Sequence, residues 1–233
     1  MLEMNIKDLK SKLLEYSYQK KLGHIPSALS MFDYVHDLFV NKKVTPDDKI
    51  IIGKPFGAQT YYIIWQALGY LDDIDNLSIA VKHDEIPFVD FSEETIGDSL
   101  GVATGVAMTT DRKVWVNLTD ATLQMGATLE AIQFIGHHQL ANIMVTVDYN
   151  NAQVTGKTGD ILGVDPVISF FHNYGWDVKY AIDDFEIGTK PTVYILHTSK
   201  GNGVKSMEND IKKWHYKKIE SEEELQSLKA ELK

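Results

Sequence analysis

Val114-Trp115-Val116-Asn117-Leu118-Thr119-Asp120-Ala121 is an apolar-rich run that breaks on an acid and then a small residue. Thirty residues beyond Asp120, Asn150 closes a second such run, Ile143-Met144-Val145-Thr146-Val147-Asp148-Tyr149-Asn150. Each run reads as a buried parallel strand, and a helical stretch lies between them. That unit puts the side-chain oxygens of Asp120 and Asn150 at the carboxyl ends of strands in one sheet. There the two can share a hard cation, and the cation can hold a diphosphate.

The remaining pattern extends the same architecture. Residues 5–21 read as an amphipathic helix with Ile6, Leu9, Leu13 and Leu14 on one stripe, broken by Gly23-His24-Ile25-Pro26-Ser27. Ser27 is placed to cap a second helix running to about residue 41. Lys49–Ile52 reads as a short strand, 57–69 as an apolar helix, and 83–96 as irregular and acidic. Gly97, Gly101 and Gly105 recur at every fourth residue and predict a flat helix face, for which close helix packing is the plainer explanation. A helix at 122–138, strands at 176–180 and 192–197, and a capping box opening at Ser221 complete the pattern. Strands alternating with helices of these lengths predict an α/β fold, a parallel sheet covered by helices on both faces.

The chain has 233 residues and shows no linker, repeat or low-complexity segment, so it reads as a single domain over 1–233. Its net charge of −10 argues against nucleic acid or an anionic membrane as the main partner. A phosphorylated ligand is compatible with that charge, because a metal and backbone N–H groups bind phosphate without a basic surface. Cysteine is absent, which excludes disulfides, thiol catalysis and zinc–thiolate sites. Met1–Asp8 lacks the pattern of a signal peptide, and no apolar run reaches the roughly 18 residues of a membrane span. The expectation is a soluble, cytoplasmic protein.

Several ordered pieces of the chain resemble the N-terminal, diphosphate-binding half of transketolase. Gly23-His24 with Leu29-Ser30 is similar to the family's early Gly-His-Pro loop. Leu123-Gln124, Gly126, Glu130-Ala131, Phe134 and His137-His138 resemble its middle helix. Asp148-Tyr149-Asn150, Gln153, Gly156 and Thr158-Gly159-Asp160 resemble the loop after the next strand, and Lys200-Gly201-Asn202-Gly203 and Trp214-His215 the end of that half. The resemblance spans nearly the whole chain and implies the thiamine diphosphate-binding fold.

It also implies roles. Asp120, Asn150 and the backbone carbonyl of Ala152 would hold Mg2+ (or Ca2+), and the metal would hold thiamine diphosphate. Ala121 and Asp148 would line the cofactor, with Ile96 beside its aminopyrimidine. His24 and His215 would serve as catalytic residues near the reacting end of the substrate. Without the resemblance, Asp120 reads as a helix N-cap and both histidines as ordinary loop residues.

The sequence departs from the family at defined places. Thr119 stands for a glycine and adds bulk beside the diphosphate, Ala121 stands for the other glycine, and Met125 stands for a glutamate of a carboxylate network. Lys54-Pro55-Phe56 stands for Lys-Gly-His and so loses a histidine; His83 is only a displaced candidate for the second Gly-His-Pro loop. No helix is expected between residues 181 and 190. These changes fall mostly on substrate-facing positions.

The resemblance stops where the family's first half ends. It implies a separate partner chain carrying the pyrimidine-binding and C-terminal domains, in a two-plus-two assembly. With that partner the chain would transfer a two-carbon ketol unit between sugars or sugar phosphates. The alternatives are a degenerate chain that only binds or supports its partner, and an enzyme with a less hydroxylated, pyruvate-like donor.

Overall fold

A computed structural model describes residues 5–232. Of the N-terminal segment considered for a signal peptide, residues 1–4 lie outside the described residues. In chain order the elements are α1 (Ile6–Gln19), α2 (Ile25–Val40), β1 (Lys49–Ile52), α3 (Gln59–Ala67), β2 (Phe91–Ser92) and α4 (Ser99–Ala107). There follow β3 (Val114–Thr119), a 3-10 turn (Asp120–Gln124), α5 (Gly126–His138), β4 (Ile143–Tyr149), α6 (Thr158–Ile161) and α7 (Asp165–Asn173). Then come β5 (Asp177–Lys179), β6 (Thr192–His197), α8 (Lys205–Asn209), α9 (Ile211–Trp214) and α10 (Glu222–Glu231). The described residues form two compact units.

One unit comprises Lys43–Pro55 and Val81–His197 and contains the sheet. All six strands are parallel, in the order β2-β1-β3-β4-β6-β5. Val114, Val116 and Leu118 alternate with Trp115 and Asn117, as the two-residue period of a strand requires. The first set joins Val145, Val147 and Ile195 in a core with Leu100 and Ala103 of α4, Ile132 and Ile135 of α5, and Phe171 of α7. Residues pointing the other way are buried too, which is why β3 and β4 read as unbroken apolar runs. On that side the Trp115 indole donates to Thr146 Oγ1 (2.9 Å), and Thr146 donates to Asn117 Oδ1 (2.8 Å). The chain passes from β1 outward to β2 and then back to β3 on the other side of β1. The β1–β3 boundary is therefore the topological switch point, where a crevice opens at the strands' carboxyl ends.

The other unit comprises residues up to Lys42, Phe56–Ala80 and residues from Thr198 on. Here α1, α2 and α3 pack on one another, and α10 packs on α1. Leu9, Leu13 and Leu14 are buried, while Ile6, expected on the same stripe, stays at the exposed start of α1. Asn5 caps α1 by accepting from the Lys7 N–H (3.0 Å). Phe39 meets Trp65 edge-on at 5.7 Å, and the Tyr16 hydroxyl donates to the Ile74 carbonyl (2.7 Å).

Several expectations need correction. Helix α2 starts at Ile25, not after Ser27, because His24 takes a left-handed conformation (φ 57°) and Pro26 fits the first turn. The helix expected over 122–138 is broken at Met125, whose extended backbone (ψ 133°) separates the 3-10 turn from α5. The acidic segment 83–96 contains the short strand β2. The glycine face is not a packing face: Gly97 precedes α4 with φ 136°, and a Cβ added at Gly101 or Gly105 would meet nothing within 4 Å. As expected, no helix lies between residues 181 and 190. At the Ser221 capping box, Ser221 accepts from the Glu224 N–H, and Glu224 reaches back to the N–H of Glu220 rather than that of Ser221. No helix among the described residues is long and apolar enough to cross a membrane.

Candidate functional site

The β3–β4 register pairs Thr119 with Asp148, so Asp120 and Asn150 both emerge just past the carboxyl ends of neighbouring strands. Lys54 emerges two residues past β1, on the other side of the switch point. These residues gather in the sheet unit.

Asp120 is fully buried. Its Oδ1 accepts from the Ala121 N–H (2.8 Å) and the Thr119 hydroxyl (3.1 Å), and its Oδ2 from the Thr158 hydroxyl (3.0 Å). The bulk that Thr119 brings is thus used as a donor to the acid. Burial pushes the Asp120 carboxyl above its ordinary range; the Thr158 hydroxyl opposes this and the nearby Asp148 charge adds to it. The groups that bond Asp120 are all neutral donors. The next residue but one, Thr122, has a buried hydroxyl with no hydrogen-bond partner among the described residues.

Asp148 is buried and paired with Lys54, itself 5% exposed. The same oxygen, Oδ2, accepts from Asn150 Nδ2 (2.7 Å). Asn150 Oδ1 accepts from the Ala152 N–H (3.0 Å). Asn151 takes a left-handed turn (φ 52°), which asparagine tolerates, and its side chain accepts from the Gly159 N–H. That turn brings Thr158 back to Asp120.

The Asp120 carboxylate and the Asn150 amide oxygen are hard oxygen donors, the kind a hard cation takes. A buried acid bonded only by neutral groups, with an orphaned hydroxyl nearby, fits such a cation and its anionic ligand. Among the described residues no three His, Cys, Asp or Glu side chains cluster to hold a metal by themselves. A cation held here would draw on neutral oxygens as well as on the Asp120 carboxylate.

Ile96 is half-buried in the loop before α4. Sequence reasoning missed what shapes this loop. The Glu93 carboxylate accepts from the N–H groups of Gly97 (3.0 Å), Asp98 (2.8 Å) and Ser99 (2.8 Å) and from the Ser99 hydroxyl (3.1 Å). Burial nevertheless pushes the Glu93 carboxyl up. His83 stacks over Phe91 at 6.4 Å.

His24 and His215 lie together in the other unit, ring centroids 5.1 Å apart. Phe56 stacks on His24 at 4.7 Å, and Tyr216 meets it edge-on at 5.2 Å. Lys200 Nζ lies 3.2 Å from His215 Nδ1. An ammonium only donates, so Nδ1 accepts and the neutral ring carries its proton on Nε2. Burial, then Lys200 and His24, push the His215 pKa down to about 4.

Residues 101–228 match the family described as the thiamine diphosphate binding domain of transketolase. The chain is 27% identical to an apulose-4-phosphate transketolase subunit of Phocaeicola vulgatus, across 92% of this chain and 88% of that one. It is also 27% identical to the protein of the same name from Actinobacillus succinogenes, across 100% of this chain and 96% of that one. Against human transketolase-like protein 2 it is 25% identical and spans only 37% of that protein. A crystal structure of transketolase from Campylobacter jejuni superposes with a TM-score of 0.80 at 21% identity, covering 97% of this chain and 43% of that one.

Proposed function

Because the chain belongs to the transketolase thiamine diphosphate binding domain family, we propose that it is the diphosphate-binding subunit of a split, transketolase-like transferase. The reaction is transfer of a two-carbon ketol unit from a ketose donor, free or phosphorylated, to an aldose acceptor. One observation carries this reading: the buried Asp120, bonded only by neutral donors, follows β3 at the edge of the switch point, and Asn150 follows the neighbouring strand β4. Near-complete matches to two proteins that are themselves named as subunits, against 37% of the human relative, support a separate partner chain. That partner would carry the pyrimidine-binding and C-terminal domains, in a two-plus-two assembly.

Asp120, Asn150 Oδ1 and the Ala152 carbonyl would hold Mg2+, with Ca2+ as a substitute, and through it the diphosphate. Ala121, Asp148 and Ile96 would line the cofactor, and Asp148 also braces Asn150. When bound, thiamine diphosphate would supply a carbon acid whose conjugate base is nucleophilic toward a carbonyl, and a cationic ring able to take up the electron pair released when a C–C bond breaks. His215, neutral with its proton on Nε2, donates to a substrate oxygen; His24 orients a hydroxyl beside it. A second reading, a less hydroxylated and pyruvate-like donor, is favoured by the Phe56 ring stacked on His24 where the family has a histidine.

The test is transfer of isotopically labelled carbon from ketose or pyruvate donors to aldoses by this chain assembled with its partner. Ketose-dependent transfer needing both chains and the cofactor supports the first reading. Pyruvate-only transfer supports the second, and an assembled, cofactor-loaded pair with no transfer overturns both.

A further inference from the structure

Lys54 is not among the residues that would hold the cation or the cofactor, yet it is one of the few buried lysines among the described residues. It lies on the far side of the switch point from Asp120 and reaches Asp148, 94 residues away in sequence. A carboxylate paired with an ammonium offers its oxygens only as acceptors. The Asn150 side chain, 2.7 Å from that carboxylate, must therefore present its NH2 end. Its oxygen is turned to the opposite side, where the Ala152 N–H meets it at 3.0 Å.

We infer that Lys54 is a positioning residue for the cation site: through Asp148 it fixes which end of the Asn150 amide is offered as a ligand. The inference rests on the cation reading of Asp120 and Asn150. Lys54 also balances the charge of Asp148, so the second buried carboxylate is committed to the lysine and does not compete with Asn150 for the metal. Asp120 is then the single acid left for the cation. The Ala152 N–H favours the same orientation from the other side, and the Lys54–Asp148 pair adds the charged contact that makes a half-turn of the amide, exchanging a ligand oxygen for a non-ligand NH2, costly. Supports of this kind set metal affinity as surely as the ligands they hold.

The test uses the full chain with its partner and reads thiamine diphosphate binding by calorimetry as Mg2+ is varied. Lys54→Met leaves Asp148 buried without its cation and can fail to fold. The deciding variant is therefore Lys54→Met/Asp148→Asn, which removes both charges and puts at 148 an amide able to accept either end of Asn150. The expected result is a folded protein, its thermal midpoint without ligand near that of the unsubstituted chain, whose half-saturating Mg2+ rises about 10–100-fold. Cofactor occupancy at high Mg2+ is regained. Unchanged Mg2+ dependence in the folded double variant would overturn the inference and leave the proposed function standing. Absence of Mg2+-dependent binding in the unsubstituted assembly would overturn the function itself, and the inference with it.

Discussion

Asn150 donates its amide N–H to Asp148 across 2.7 Å, and its oxygen faces the backbone N–H of Ala152 at 3.0 Å. The contact is directional, since only a donor suits a carboxylate. Asn150→Asp would set a second carboxylate against the first in a buried place. It should cost on the order of 2–3 kcal/mol of stability, measured by denaturant unfolding of the chain without ligand.

Asp120→Asn should behave differently. Burial pushes the Asp120 carboxyl up, so its charge is a burden on the fold without a cation. The neutral isostere should leave the thermal midpoint of the ligand-free chain unchanged or raise it. The same substitution should abolish Mg2+-dependent cofactor binding. A lowered midpoint with cofactor binding intact would contradict both statements.

His215 sets a pH dependence. Its folded pKa is pushed down to about 4, below the ordinary histidine value of about 6.5. Between those values the unfolded chain binds the extra proton and the folded chain does not. Stability from this group is therefore complete above about pH 6.5 and is lost as pH falls toward 4. Thermal midpoints measured from pH 7.5 to 4.5 should fall less steeply in His215→Gln.

Glu93 braces the loop of Ile96 through four hydrogen bonds. Glu93→Ala leaves the N–H groups of Gly97, Asp98 and Ser99 without that acceptor. The expected loss is about 2–3 kcal/mol, together with faster hydrogen exchange at those three amides. Unchanged exchange would show that the brace is dispensable.

Gly53, at the end of β1, has no room for a side chain. A Cβ there would stand 2.2 Å from Ser99 Oγ and 2.6 Å from Leu118 Cδ2. Gly53→Ala should destabilise by about 1–3 kcal/mol through overpacking, read from chemical denaturation.

The parts of this fold that are legible in the sequence are those with a local signature. Strands β3 and β4 declare themselves because both faces are buried, and each breaks on a polar residue at its carboxyl end. The positions of Asp120 and Asn150 follow from that, whereas choosing a ligand role over a helix cap for Asp120 took the family resemblance. Strand β2 has two residues, too few for any period. Helix α7 carries a readable Asp165-Pro166 start that sequence reasoning missed. The pairing of Lys54 with Asp148 spans 94 residues and depends on strand order, which no local pattern encodes. The Glu93 brace depends on a turn that only the folded chain makes. The glycine spacing misled because it implied packing where the structure leaves open space.

Everything proposed for this chain depends on Asp120 and Asn150 holding a cation for a diphosphate shared with a partner chain. The decisive measurement is calorimetric titration of thiamine diphosphate into this chain mixed with that partner, with and without Mg2+. Saturable binding that requires Mg2+ and both chains, and that vanishes in Asp120→Ala, is the predicted result. Binding that is indifferent to Mg2+, or that survives Asp120→Ala, would contradict it.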